Sequence, residues 1–134
     1  MTVKTIRQTL TKAFVDWATE KNLPFVVPNI EYDPTPLESW AQIWFIEGRS
    51  ISVALKEGEE QLHGIMQIDL NVPYGQGEGA VFELYESLNK VFVTGGYINN
   101  EFGTVRLGSV YLSGQDAGPP FYTKFVTVEY SAFT

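Results

Sequence analysis

The chain has no cysteine, one histidine, few positive charges and no long hydrophobic run. The missing cysteine excludes disulfides, thiolate metal ligands and cysteine nucleophiles, and it suits a reducing compartment. A single histidine excludes a metal centre built from several imidazoles and leaves any histidine triad resting on His63. Nine Lys and Arg face sixteen Asp and Glu, a net charge of −7, so the field of the whole molecule opposes attachment to a phosphate backbone. The cations, among them Lys4, Arg7, Lys12, Lys90 and Lys124, are scattered without a basic stretch. Apolar runs such as residues 43–46 fall far short of the roughly 20 residues needed to cross a bilayer. The opening MTVKTIRQTLTKAF holds no continuous apolar segment of the signal-peptide kind. The expectation is a soluble, intracellular protein without a membrane or a specific nucleic acid as partner.

What is present points to a packed core. Hydrophobic residues make up 44% of the 134 positions and charged residues 19%, which excludes the disordered class. A chain of this length buries roughly 68% of its unfolded surface. One domain spanning residues 1–134 is expected.

Val3, Ile6, Leu10, Phe14, Trp17 and Ala18 recur at spacings of three and four, one face of an amphipathic helix that Asn22 and Pro24 end. A short extended piece over residues 25–30 and a proline-containing loop, YDPTPLES, come next. WAQIWFIEG and RSISVAL read as strands, the latter with Ile51, Val53 and Leu55 alternating with small residues, and KEGEEQ as a turn. Gly64, Met66, Ile68, Leu70 and Val72 then share one face while Ile65, Gln67, Asp69 and Asn71 take the other. These predict a hairpin with one buried and one largely solvated face. Val81, Leu84, Tyr85, Leu88 and Phe92 return to helical spacing, with Gly95 and Gly96 as the stop. GTVRLGSVYLSG and FYTKFVTVEYSAF are closing strands, joined by a loop, GQDAGPP. The order predicts an α+β fold, a mainly antiparallel sheet with two principal helices packed on one face.

Between the central strand and the second helix, Gly75, Gly77 and Ala80 match the spacing G-x-G-x-x-G/A. A dinucleotide site also needs a parallel second strand carrying an acid about 20 positions on, and YINNEFGTV supplies no clean one. Glu78 would repel a pyrophosphate, and VPYGQGEGA has no Lys or Arg to offset it. The stretch therefore reads as a strand-to-helix connection. His63 reads as an exposed or edge-strand residue near the hairpin turn, and Glu57, Glu59 and Glu60 as a solvated turn, in which nothing forces two carboxylate pKa values apart.

Three Trp, seven Tyr and nine Phe are many for so short a chain. Trp40 and Trp44 share a strand face with Gln42 between them. In the last strand Phe121, Phe125 and Phe133 take one face, Tyr122 and Tyr130 the other. Three readings follow: coverage by helices and loops, coverage by a partner chain, and stacking of single-stranded bases, which the acidic balance opposes.

The helix VKTIRQTLTKAFVDWA, the strand LHGIMQIDLNVP running into YGQGEGA, the helix after it and the strand after AGPPFYTKFVTVEY together resemble the tail terminator and tail-completion proteins of long-tailed bacteriophages. The resemblance implies a virion structural protein with no enzymatic step and no cofactor. It implies a ring of six subunits at the head-proximal end of the tail tube, contacting its own copies, the tube protein and the head-tail connector, with assembly in the host cytoplasm. From the charge of −7 per chain the expectation for such a ring is an acidic lumen that lets DNA pass. Interface candidates drawn from this sequence are Tyr74, Gln76 and Glu78 in the glycine turn, Gln115 and Asp116 in the late loop, and the scarce cations Arg49 and Arg106. The alternative is a small acid-base hydrolase using His63 or a carboxylate pair; a pocket joining His63 to a buried carboxylate would favour it.

Overall fold

The computed structural model describes residues 2–28, 30, 38–46, 50–52, 60–75 and 77–133. Most of the loop YDPTPLES, the alternation at Val53 and Leu55, most of the turn KEGEEQ, and the candidates Arg49 and Gln76 lie outside them.

Apolar spacing and matched ends together make α1 (Val3–Glu20). At its start the Thr2 hydroxyl accepts from the Thr5 amide at 3.1 Å, and the Thr2 amide donates to the Thr5 hydroxyl at 2.9 Å, satisfying two donors that a helix start leaves open. At its end Asn22 takes φ 53°, a left-handed conformation that asparagine tolerates. Its amide and that of Leu23 return to Thr19 O and Ala18 O at 3.1 and 2.9 Å. The buried row is Ile6, Thr9, Leu10, Phe14, Trp17 and Ala18. Thr9 is tolerated there because its hydroxyl donates to Thr5 O at 2.8 Å.

The strands are β1 (Phe25–Val26), β2 (Trp40–Ile46), β3 (Ser50–Ser52), β4 (Glu60–Pro73), β5 (Tyr97–Asn100), β6 (Gly103–Asp116) and β7 (Phe121–Phe133), with α2 (Gly79–Leu88) between β4 and β5. They form one sheet in the order β1-β2-β4-β7-β6-β5, with β3 also on β4. The β1/β2 pair is parallel and every other described pair is antiparallel. This is the α+β architecture expected from the order of elements.

Register divides the sheet into two faces. Towards the helices point Ala41, Ile43, Met66, Ile68, Leu70, Val72, Val105, Leu107, Val126 and Val128, all with 1% exposure or less. Leu10 and Phe14 of α1 and Val81 and Leu88 of α2 pack on this layer. The Trp17 indole donates to Ser87 Oγ at 3.0 Å, and Asn100 Nδ2 donates to Thr9 O at 3.0 Å, tying α1 to α2 and to β5. Gly64 is required where it stands. A Cβ there would lie 2.4 Å from the hydroxyl of Tyr130, whose ring crosses the strand to meet Phe45 edge-on at 6.5 Å.

Several expectations need correction. Among the described residues of the extended piece at 25–30, Phe25–Val26 form a strand and the others do not. Helix α2 stops at Leu88, so Phe92 enters the core from a following turn and not from the helix. Gly95 and Gly96 make no helix stop: Gly95 N donates to Gly108 O and Leu107 N to Gly96 O, fastening the connection to β6. A strand, β5, exists in YINN, where only Ile98 is buried. Gly114, Gln115 and Asp116 belong to β6, pairing with Phe125, Lys124 and Thr123, so the late loop is shorter than expected. His63 sits inside the central strand β4 opposite Ser131, not at an edge. The second face of β4 is not largely solvated either. Asn71 is buried, donating to Trp40 O at 3.2 Å and accepting from the Thr123 hydroxyl at 2.6 Å.

Candidate functional site

The chain leaves β4 at Pro73 and reaches α2 through two residues that only glycine adopts cheaply, Gly75 at φ 90° and Gly77 at φ 81°. The Tyr74 amide donates to Pro120 O at 2.9 Å, joining this turn to the β6/β7 connection. Asp116 shapes that connection by accepting from Gly118 N at 3.1 Å. Four sequence candidates, Tyr74, Glu78, Gln115 and Asp116, therefore meet at one end of the sheet.

Lys124 holds that end together. Its side chain is only 13% exposed. The ammonium donates to Gln115 Oε1 at 2.5 Å, lies 3.9 Å from Glu78 Oε2, and stands 5.4 and 5.5 Å from the ring centroids of Phe82 and Tyr122. The Tyr122 hydroxyl also donates to Gln115 Oε1, at 3.0 Å. A cation against two aromatic faces and a carboxylate is a favourable setting for burial of its stem. Sequence reasoning did not single out Lys124 as a site residue, although a signal existed: it falls in the same alternating row as Val126, Val128 and Tyr130.

Arg106 is elsewhere. It lies at the opposite end, in a cross-strand row running Tyr97, Arg106, Ser131, His63. An open groove of about 660 Å³ passes there, lined in part by Ile46, His63, Ile65, Arg106 and Glu129. Glu129 belongs to the next row, opposite Ile65, and is half-buried. The hydrolase reading asked for a pocket joining His63 to a buried carboxylate; the groove is open and its carboxylate only partly covered. Among the described residues no group of three or more His, Cys, Asp or Glu is placed to hold a metal ion.

The face turned away from the helices carries the aromatic excess. Trp40 meets Phe121 edge-on at 5.9 Å, which accounts for the burial of Phe121. Trp44, Ile46 and Tyr111 stay exposed. Asp69 sits among them, accepting from the Trp44 indole at 2.7 Å and from Gln67 Nε2 at 2.8 Å. Burial pushes its carboxyl above the usual range, and the two hydrogen bonds oppose that shift.

The glycine turn is not a nucleotide cradle. Among the described residues strand β4 pairs only antiparallel, with β2, β3 and β7, so they show no crossover to a parallel strand after the turn, and Glu78 at the N-cap turns its carboxylate towards Lys124. What the molecule offers is surface: two loop-built ends and a broad open sheet face, on a helix-backed α+β scaffold. The chain belongs to the phage tail terminator protein family, which matches residues 5–130, and it is accordingly a structural component of the virion tail.

One solved structure, whose own name states no activity, superimposes with a TM-score of 0.77 at 19% identity, covering 98% of this chain and 95% of its own, a likeness of fold. A short stretch of 37 residues, 28% of this chain, is 51% identical to kynurenine formamidase of Salmo salar. The chain spans only 13% of that relative's length.

Proposed function

We propose that this tail terminator acts as a closed ring, six subunits on the head-proximal end of the tail tube, that stops tube growth and presents the docking surface for the head connector. The observation that carries the reading is the one-sided sheet. Both helices cover one face, while the other leaves Trp44, Ile46 and Tyr111 exposed in a chain whose family terminates tails. In this reading the end built from Tyr74, Glu78, Gln115 and Asp116 meets the tube or the connector. Arg106, at the far end, and Arg49 serve contacts between subunits, and Gln76 belongs with Tyr74 and Glu78 of the glycine turn. Six copies at −7 each line the passage with an acidic field that lets DNA slide without adhering. A terminator that only binds requires no chemical step and no cofactor.

The test is tube growth in the presence of the purified protein, followed by negative-stain imaging. Tubes should stop at shorter length, each bearing a six-membered ring at one end. An unchanged length distribution, with the protein absent from tube ends, would overturn the reading.

A further inference from the structure

Beside the first half of α1 runs an open groove of about 910 Å³, lined in part by Val3, Lys4, Arg7, Val27, Phe45 and Phe102. Its floor is apolar and aromatic, with Phe102 40% exposed and the Arg7 guanidinium lying over the Phe45 ring, 4.9 Å from its centroid. The outer side of α2 carries the complementary pattern. Phe82 is 38% exposed there, and Glu83 and Glu86 beside it are exposed as well. Spacings of three and four put these residues on one helix side. An aromatic flanked by carboxylates is what a groove with an apolar floor and a cationic rim accepts.

A second observation joins the two surfaces: each helix carries charge of the sign its own dipole disfavours. A helix start is electropositive and favours carboxylates, and a helix end favours cations. The first acid of the chain is Asp16, so α1 begins among Lys4, Arg7 and Lys12. The carboxylates of Asp16 and Glu101 gather at Lys12, at 3.1 and 3.7 Å, away from the first turn. In α2 the last turn holds Glu86 and no Lys or Arg, and Lys90 comes only beyond the C-cap Asn89. One subunit does not cancel these mismatches internally. The Trp17 indole meets Ser87, so α2 touches α1 near its end, and Lys4 stands about 20 Å back along the helix at 1.5 Å per residue.

Both surfaces belong to this chain and share no residue. A contact between two different patches of identical chains runs head to tail, the kind that closes into a ring when its rotation permits. The like net charge of −7 does not forbid it, because at physiological salt charges beyond about 8 Å are screened and the facing patches decide. We propose that the groove beside α1 receives helix α2 of a second copy, with Phe82 on the apolar floor and Glu83 and Glu86 towards Lys4 and Arg7. The inference rests on the ring reading and assigns its subunit contact.

The test reverses charge at two exposed positions, Lys4→Glu in the groove and Glu86→Lys on α2. Self-association is followed by sedimentation across concentration, and rings at tube ends are counted by negative-stain imaging. Each variant alone sets like against like and should associate about tenfold more weakly than wild type. An equal mixture of the two should recover, because every groove then finds a helix of opposite charge. The free subunits should unfold at the wild-type midpoint or above it, since each reversal corrects the sign at its own helix end; lost assembly is then not lost folding. Wild-type association by either variant alone, or a mixture no better than its parts, would overturn the groove contact and leave the ring standing wherever wild-type rings cap the tubes. Wild-type protein that forms no ring, free or on tubes, would overturn both.

Discussion

Ile68 and Asp69 are neighbours on the same strand, yet one has no exposure and the other faces the open side of the sheet. The difference comes from the two-residue period of a strand, which sends successive side chains to opposite faces. Along β4 the inward row Met66, Ile68, Leu70 and Val72 holds the fold to its helices. The outward row Ile65, Gln67, Asp69 and Asn71 combines polar groups with the aromatics of adjacent strands. Stability and contact are thereby written into alternate letters of one segment, and each can be altered with limited effect on the other.

Replacing Ile68 with alanine breaks the inward row and should cost about 2–5 kcal/mol, read as a lower midpoint in urea unfolding. Gly64→Ala attacks the same face from the backbone. Its Cβ would push into the Tyr130 ring, and an overpacking cost of about 1–3 kcal/mol is expected by the same measurement. Gly77→Ala lies at the turn end and meets no atom within 4 Å, so only the strain of φ 81° remains, about 1 kcal/mol. If the turn fits a neighbour as proposed, its effect on ring or tube assembly should exceed its effect on unfolding. Equal loss of both would reduce the turn to simple geometry.

The smallest change, Asp69→Asn, sharpens the comparison most. With a folded pKa above its unfolded value, the native state holds this proton more tightly than the unfolded chain. The stability so gained is present below the ordinary carboxylate range near about 4 and is lost as pH rises through the raised value. Asparagine should therefore leave neutral-pH stability unchanged or higher, within about 1 kcal/mol, and remove this part of the pH dependence. Unfolding midpoints of the two proteins compared from pH 3 to pH 7 provide the check.

The sequence made α1 and the inward row of β4 legible because their partners are implied by period alone. Apolar spacing overextends helix α2, because Phe92 continues the period after the backbone has turned. Strand β5 escaped notice because a single buried residue, Ile98, gives no alternation to read. The polar burial of Asn71 was invisible for a different reason: its partners Trp40 and Thr123 come from two other strands, and only register brings them together. The same holds for the turn end. Glu78 and Gln115 stand far apart in the sequence, and their common partner Lys124 joins them only once β6 lies beside β7. Asp69 gave no local sign, since its setting depends on an indole from β2.

The single backbone bond from Tyr74 to Pro120 also has a mechanical meaning. The two loops it joins hang from β4 and β7, which run side by side from Gln61 opposite Phe133 to Pro73 opposite Phe121. A pull on this end of one strand against the far end of the other acts along the strands, so every rung of that ladder resists at once and none peels first. A tail part that carries load through this pair would stretch little before it breaks.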